Sequence, residues 1–326
     1  FQEDKIINLD KLTYAGNKLN LLEFEKDKRI ELIKGDISDQ KLVKNILEKN
    51  NPTFVINFAA ESHVDRSIIY PEKFMNTNIV GTFKLINVVK NYFSCLSNSE
   101  KDNFRFLHIS TDEVYGSLGK DNQPFKETNK YFPNSPYSAS KAASDHIVRS
   151  FHKTYNLPTL ISNCSNNYGP YQFPEKLIPK MILNVFNNKE LPIYAKGKNS
   201  REWIHVQDHC IALFKLYLKG KSGESYNVGS GVNLTNLQVV NKILKICKKL
   251  KIKIKPNTRI KFVADRPGHD FRYALNNRKI YKKLKWKPKI DFNNGLRETI
   301  EWYLKNKLFV KQISKKKYNK RLGLQI

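Results

Sequence analysis

The sequence is poor in the residues that would tie it to several large classes of protein. Its 326 residues include only four cysteines, Cys95, Cys164, Cys210 and Cys247, and none stands at a metal-ligand spacing. That argues against a disulfide-stapled scaffold and against a structural zinc site, and it points to free thiols in a reducing, cytoplasmic setting with no metal. No run of about 18 apolar residues occurs, so no membrane-spanning helix is expected, and nothing at the start resembles a secretory signal. Acidic residues are scarce in one region only. Residues 241–326 carry 27 Lys+Arg against 5 Asp+Glu, whereas residues 1–240 carry 31 against 25. Such an excess can serve nucleic acid. However, runs such as Lys315-Lys316-Lys317 lack interleaved stacking aromatics, so solvated lysine-rich faces and a basic tail over 311–326 are the expectation, not a nucleic-acid partner.

The most informative absence is local. Apolar runs at Lys5–Leu9, Arg29–Ile33, Thr53–Phe58, Phe104–Ser110 and Thr159–Asn163 read as strands. Helical spacing fills Gln40–Lys49, Pro71 to about Phe93, and Pro136–Tyr155 between them. This alternation predicts an α/β fold, a doubly wound parallel sheet of the Rossmann type with Thr53–Phe58 buried on both faces. Ligands of such sheets sit beyond the carboxyl ends of the strands, where Asp10, Asp36, Ala60–His63, Ser110–Glu113 and Asn163–Asn167 fall. Yet the first strand and glycine-rich phosphate loop of such a fold are absent before Asp10. The first strand ordinarily lies between those at Lys5–Leu9 and Thr53–Phe58, so roughly 25–30 further residues carrying strand, loop and helix are expected upstream of Phe1. After Tyr168-Gly169-Pro170 the pattern loosens, with helices expected near Pro174–Asn188, Val206–Leu218, Asn236–Lys249 and Phe292–Leu304. The expected division is 1–165 for a dinucleotide-binding domain and 166–310 for a smaller C-terminal α/β substrate domain.

Two clusters carry chemistry. Ser135 is a good helix N-cap and Pro136 suits the first helical position, so Tyr137 and Lys141, four residues apart, share a helical face. A lysine there favours the phenolate and is expected to pull the tyrosine's pKa down by up to about 3 units. Such pairs are also common on solvated helices, so the spacing alone decides little. Ser110-Thr111-Asp112-Glu113 ends a strand with adjacent carboxylates, and one acid plus one base is what the elimination of water requires. Asp10 at the end of the Lys5–Leu9 strand suits the hydroxyls of an adenosine ribose and repels a 2′-phosphate, which favours NAD over NADP.

Six stretches, in order, carry a resemblance: Asp10-Lys11-Leu12-Thr13-Tyr14-Ala15-Gly16, Ala59–Ser67, Ser110–Gly116, Tyr137–Lys141, Asn163–Pro170 and Asp265–Asp270. With them the chain resembles the nucleotide-sugar 4,6-dehydratases of the extended short-chain dehydrogenase/reductase family, most nearly those acting on dTDP-glucose. The resemblance implies a hydro-lyase with tightly bound NAD that serves deoxysugar synthesis, rhamnose being one such sugar. It assigns proton removal from the sugar 4-hydroxyl to Tyr137 with Lys141, a hydrogen bond to that oxygen to Thr111, removal of the C5 proton to Glu113 and protonation of the departing C6 hydroxyl to Asp112. It places Asp10, Lys11, Leu12, Thr13, Asp36, Ile37, Ala59, Ala60, Thr77 and Asn167, together with Tyr137 and Lys141, on NAD. It places Ser62, Asn166, Lys176, Leu177, Pro192, Tyr194, Arg201, Asn236, Arg266 and His269, together with Thr111, on the sugar nucleotide. Arg201 and Arg266 suit a diphosphate as planar charged forks, while His108 and His146 read as structural. A homodimer pairing the helices at Pro71–Phe93 and Pro136–Tyr155 is also implied. A UDP-glucose 4,6-dehydratase and a nucleotide-sugar 4-epimerase are the nearest alternatives, and an epimerase would leave Asp112 and Glu113 without work. A non-catalytic basic binding protein on the same fold is the alternative of another class.

Overall fold

The structure, a computed structural model, describes residues 4–315. Residues 316–326 of the expected basic tail lie outside the described residues. Strand β1 (Ile6–Asp10) pairs in parallel with β2 (Ile30–Lys34), setting Asp10 opposite Lys34. Helix α1 (Gln40–Asn50) is capped by Asp39, whose carboxylate accepts from the Leu42 N–H, and leads to β3 (Phe54–Asn57). Helices α2 (Val64–Ile69), α3 (Pro71–Phe74), α4 (Thr82–Cys95) and α5 (Asn98–Asn103) follow, then β4 (Arg105–Thr111), α6 (Pro136–Tyr155) and β5 (Thr159–Cys164).

The later chain forms β6 (Asn166–Tyr168), α7 (Leu177–Phe186), β7 (Leu191–Tyr194), β8 (Ser200–His205) and α8 (Val206–Lys219). Next come β9 (Ser225–Val228), β10 (Asn233–Thr235), α9 (Asn236–Lys249), β11 (Ile260–Val263), α10 (Arg278–Leu284), α11 (Phe292–Lys305) and α12 (Lys307–Lys315). None of the described helices is long and apolar enough to cross a membrane.

Strands β3, β4, β5 and β9 form a parallel sheet in the order β3-β4-β5-β9. One side is covered by α1, α4 and α6 through Ile86, Val89, Phe106 and Val148, and the other by α8 and α10 through Leu213, Leu216 and Ile280. A second core gathers α7, α9 and α11 over β7 around Ile182, Val240, Ile243 and Ile300. The expected division near residue 165 is crossed by several later elements: β9 returns to the large sheet beside β5, and α8 and α10 cover one side of that sheet.

Two expectations, the burial of β3 on both faces and an unbroken Pro71–Phe93 helix, need correction. The gap expected between the strands at Lys5–Leu9 and Thr53–Phe58 is present: among the described residues no strand bonds both the β1–β2 pair and the four-stranded sheet. As a result β3 is an edge strand, not one buried on both faces, and Ile56 and Phe58 are 36% and 59% exposed. The helix expected over Pro71–Phe93 is also interrupted, by a π-helical stretch at Met75–Gly81. The wider turn carries the buried Asn78, whose amide accepts from the Glu61 N–H at 2.8 Å and donates to Glu61 O at 3.0 Å and Ser140 Oγ at 2.8 Å. These bonds tie the helix to the segment after β3 and to α6, the use to which π-bulges are often put.

Candidate active site

Helix α6 forms where its caps dictate. Ser135 and Ser138 make a reciprocal capping box, Pro136 opens the first turn, and Asn156 closes the helix in a left-handed conformation at φ 54°. Its first turns carry Tyr137 and Lys141 against the end of β4. There Thr111 organises the carboxylates: its Oγ1 accepts from the Glu113 N–H at 3.3 Å and donates to Asp112 Oδ1 at 3.2 Å. The turn leaves through Gly116 at φ 87°, where a side chain would meet the Phe132 carbonyl 2.3 Å away. Thr111, Asp112, Glu113, Tyr137 and Lys141 all line one cleft of about 450 Å³.

Burial separates the two carboxyls. It raises Asp112 well above the ordinary carboxylate range, with Glu113 and Glu202 adding to the shift. It raises Glu113 as well, but Arg266, Arg201 and Lys176 all oppose it. Burial thus favours the protonated form of Asp112, while Glu113 faces three cations that favour its carboxylate, the arrangement that parts an acid from a base. The expected lowering of Tyr137 does not occur. Burial pushes the phenol well up, Glu113 adds to this, and Thr111 only partly offsets it. Lys141 is itself fully desolvated and depressed by burial. Its ammonium bonds Ile109 O at 2.6 Å, not the phenol.

The residues assigned to the sugar nucleotide converge. Ser62, Asn166, Lys176, Leu177, Pro192, Tyr194, Arg201, Asn236, Arg266 and His269 all line the same cleft. Lys176 Nζ donates to Ser62 O at 2.5 Å, joining the segment before α7 to the loop after β3. Arg266 Nη1 pairs with Asp65 Oδ1 at 3.0 Å, and the Tyr194 hydroxyl donates to the other oxygen of Asp65. The Arg201 guanidinium lies 4.4 Å over the Tyr273 ring. Arg201 Nη2 and Arg266 Nε are buried without a hydrogen-bond partner, which an anionic ligand in the cleft would satisfy. His269 bonds Asp265 Oδ1 at 2.6 Å, and burial lowers its pKa to about 4.

The residues assigned to NAD fall into two groups. Ala60, Lys141 and Asn167 line the cleft; Asp10, Lys11, Leu12, Thr13, Asp36, Ile37, Ala59 and Thr77 lie outside its lining. Asp10 Oδ1 accepts the Leu12 N–H at 2.6 Å, Lys11 pairs with Asp36 Oδ2 at 2.6 Å, and Ile37 packs into the core beneath α1 and α4. The Ala59 N–H is held by Asn57 Oδ1 at 3.1 Å, and Thr77 sits in the π-helical stretch. Asn167 donates to Ser165 O at 3.1 Å and bonds His209 Nδ1 through its Oδ1 at 2.9 Å. An acid at the end of β1, small Ala59-Ala60 after β3, and the partnerless Ser165 Oγ in the cleft that Lys141 also lines fit the ribose and nicotinamide portions of NAD.

Sequence reasoning assigned no role to Asp65, Glu202, Asp270 and Tyr273. Asp65 and Asp270 fall inside the resembling stretches and could have been singled out there. Glu202 and Tyr273 enter through long-range packing, the Tyr273 hydroxyl donating to Asp270 with Glu113 Oε2 3.4 Å away.

A parallel α/β sheet whose strand ends meet a Tyr-x-x-x-Lys helix and a Thr-Asp-Glu turn defines an extended short-chain dehydrogenase/reductase. Residues 2–299 match the family model described as GDP-mannose 4,6 dehydratase, and the chain belongs to that family. A relative from Xanthomonas campestris pv. campestris named dTDP-glucose 4,6-dehydratase is 48% identical over 326 residues, which cover 99% of this chain and 93% of the relative. The structure is similar to that of a dTDP-glucose 4,6-dehydratase from Bacillus anthracis in complex with NAD, with a TM-score of 0.85 and 41% identity, covering 96% of this chain and 92% of the other. It is also similar to a dTDP-glucose 4,6-dehydratase from Streptomyces venezuelae with NAD and TYD bound, with a TM-score of 0.87 and 40% identity, covering 95% and 90%.

Proposed function

We infer that the chain dehydrates dTDP-glucose to dTDP-4-keto-6-deoxyglucose. The observation that carries this reading is the Asp112–Glu113 pair, whose environments part an acid from a base beside Tyr137. NAD, when bound, would accept a hydride from C4 and return it to C6. The chain's own residues move the protons. Tyr137 takes the proton of the 4-hydroxyl, whose oxygen Thr111 Oγ1 holds. The resulting ketone acidifies C5, where the Glu113 carboxylate takes the proton. The Asp112 carboxyl gives its proton to the departing 6-hydroxyl, which leaves as water. A proton then returns to C5, and Glu113 is placed to deliver it. Lys141, one helical turn after Tyr137 and lining the same cleft, supplies a donor for the cofactor ribose. Residues 1–165 serve mainly the cofactor and 166–310 mainly the sugar nucleotide. Incubation with dTDP-glucose, UDP-glucose and NAD tests the reading. A 4-keto-6-deoxy product formed preferentially from dTDP-glucose supports it, and a C4 epimer would replace it with an epimerase.

The diphosphate is assigned to Arg201 and Arg266, both with an unpartnered buried nitrogen. Arg266→Lys keeps the charge and loses the fork, so it should cost roughly 1.5–3 kcal/mol of binding, about 10–100-fold in Kd. Calorimetry with dTDP checks this, and an unchanged Kd removes Arg266 from the diphosphate site. Assembly as a homodimer through α4 and α6 is supported by the exposed Val80, Phe83 and Tyr155. Sedimentation at micromolar concentration should show twice the chain mass, and monomer alone would contradict it. Four free thiols accord with a cytoplasmic setting.

A further inference from the structure

The surroundings of Lys141 fix more than its position. Its Nζ faces Nε2 of the fully buried His108 at 3.3 Å, and the hydrogen bonds around that ring settle where its proton sits. Asn57 uses its Oδ1 to accept from the Ala59 N–H, so its Nδ2 donates to His108 Nδ1 at 3.3 Å. Ser144 spends its hydroxyl hydrogen on Lys141 O at 2.8 Å, so its Oγ accepts from His108 Nε2 at 3.2 Å. Both place the imidazole hydrogen on Nε2. The Lys141 ammonium therefore meets an N–H and not a lone pair. Beyond Ile109 O, its compensating charge has to come from another group beside that same nitrogen.

Asp145 stands there. It follows Lys141 by four residues on α6 and is buried, which puts both on one helical face. Its Oδ2 accepts from Ser110 Oγ at 2.7 Å, Tyr131 OH at 2.9 Å and Asn163 Nδ2 at 3.3 Å. Its Oδ1 lacks a hydrogen-bond partner and lies 3.5 Å from His108 Nε2. Three donors on one oxygen favour the ionised carboxylate.

We propose that Asp145 is a positioning residue for the proton transfer at Tyr137, holding Lys141 charged and in place across the Nε2–H of His108. The other titratable groups around this pair do not supply the anion. On β5, burial pushes the Cys164 thiol up to about 12. Tyr115 and Tyr131, beside Asp145, and Tyr137, on the helix of Lys141, are all raised by burial. Burial raises Asp112, and Glu113 is matched by Arg266, Arg201 and Lys176. Burial works against both partners, lowering Lys141 and raising Asp145, and each partner opposes that effect on the other.

The consequence for turnover rests on the dehydratase reading, but the charge on Lys141 can be read without it. In the full chain with 15N-labelled lysine, the Lys141 resonance is assigned by its loss in Lys141→Arg and followed by NMR against pH. Asp145→Asn is expected to lower the Lys141 pKa by about one unit or more. An unchanged value in the folded variant overturns the proposal. Should that variant not fold, the wild-type protein decides: Asp145 is expected to be ionised at neutral pH by its 13C carboxyl shift, with the His108 hydrogen on Nε2 by 15N shift. A protonated Asp145 or an Nδ1–H tautomer overturns the proposal equally. Failure of the dehydratase reading would show separately, as a wild type that makes no 4-keto-6-deoxy product.

Discussion

Glu113→Gln should cut formation of the 4-keto-6-deoxy product by about 10²–10⁴-fold, the usual contribution of a positioned base, while leaving oxidation at C4 in place. The substitution removes the acceptor for the C5 proton but preserves the shape and polarity of the side chain. Thr111, Tyr137 and Lys141 keep their positions, because Thr111 meets residue 113 through its backbone N–H. The absorbance of reduced nicotinamide should then build up and persist with little product. In the parent protein the acidic limb of kcat/KM should lie above the usual glutamate range, since burial raises Glu113. A group whose proton is retained to higher pH becomes a competent base only above that pH, so activity rises through the limb. The glutamine variant should lose that limb. Normal turnover in it would remove Glu113 as the base.

Tyr137→Phe should fail one step earlier, with a loss of about 10²–10⁴-fold in C4 oxidation itself and no build-up of reduced nicotinamide. The ring stays, and with it the edge-to-face contact to Phe74 at 6.2 Å, so the melting temperature should hardly move. The two variants thus divide the reaction: one stops before the ketone and the other after it. If Tyr137→Phe accumulated reduced nicotinamide as the Glu113 variant does, the proton from the 4-hydroxyl would have another acceptor. In this structure the phenol is raised by burial, so its activation depends on positive charge gathered beside it. That is why the charge state of Lys141, and the carboxylate of Asp145 beside the same His108 nitrogen, bear on the first step.

Much of this was legible in the sequence where local rules act alone. Helix α6 runs from Pro136 to Tyr155 as expected, because its cap, its first-turn proline and its left-handed Asn156 are local devices. Strands β4 and β5 fall within a residue of their expected ends, since their apolar runs are unambiguous. Local rules did not show the π-helical stretch at Met75–Gly81, which depends on Asn78 reaching Glu61 and Ser140. The exposure of β3 follows from the gap beside it, which the apolar run at Thr53–Phe58 does not show by itself. The electrostatics were the least legible. Spacing put Lys141 beside Tyr137, but packing turned its ammonium to Ile109 and His108. Asp65 meets Arg266 across 201 residues of sequence, which a reading of neighbouring residues cannot reach.

The central claim is an elimination enclosed within a redox cycle, and one isotopic measurement addresses it. dTDP-glucose labelled with deuterium at C4 is incubated in ordinary water, and unlabelled substrate in deuterium oxide. The account predicts that the C4 label appears on the C6 methyl group, and that the solvent deuteron enters at C5. A product inverted at C4, or one whose C6 methyl group lacks the C4 label, would contradict it.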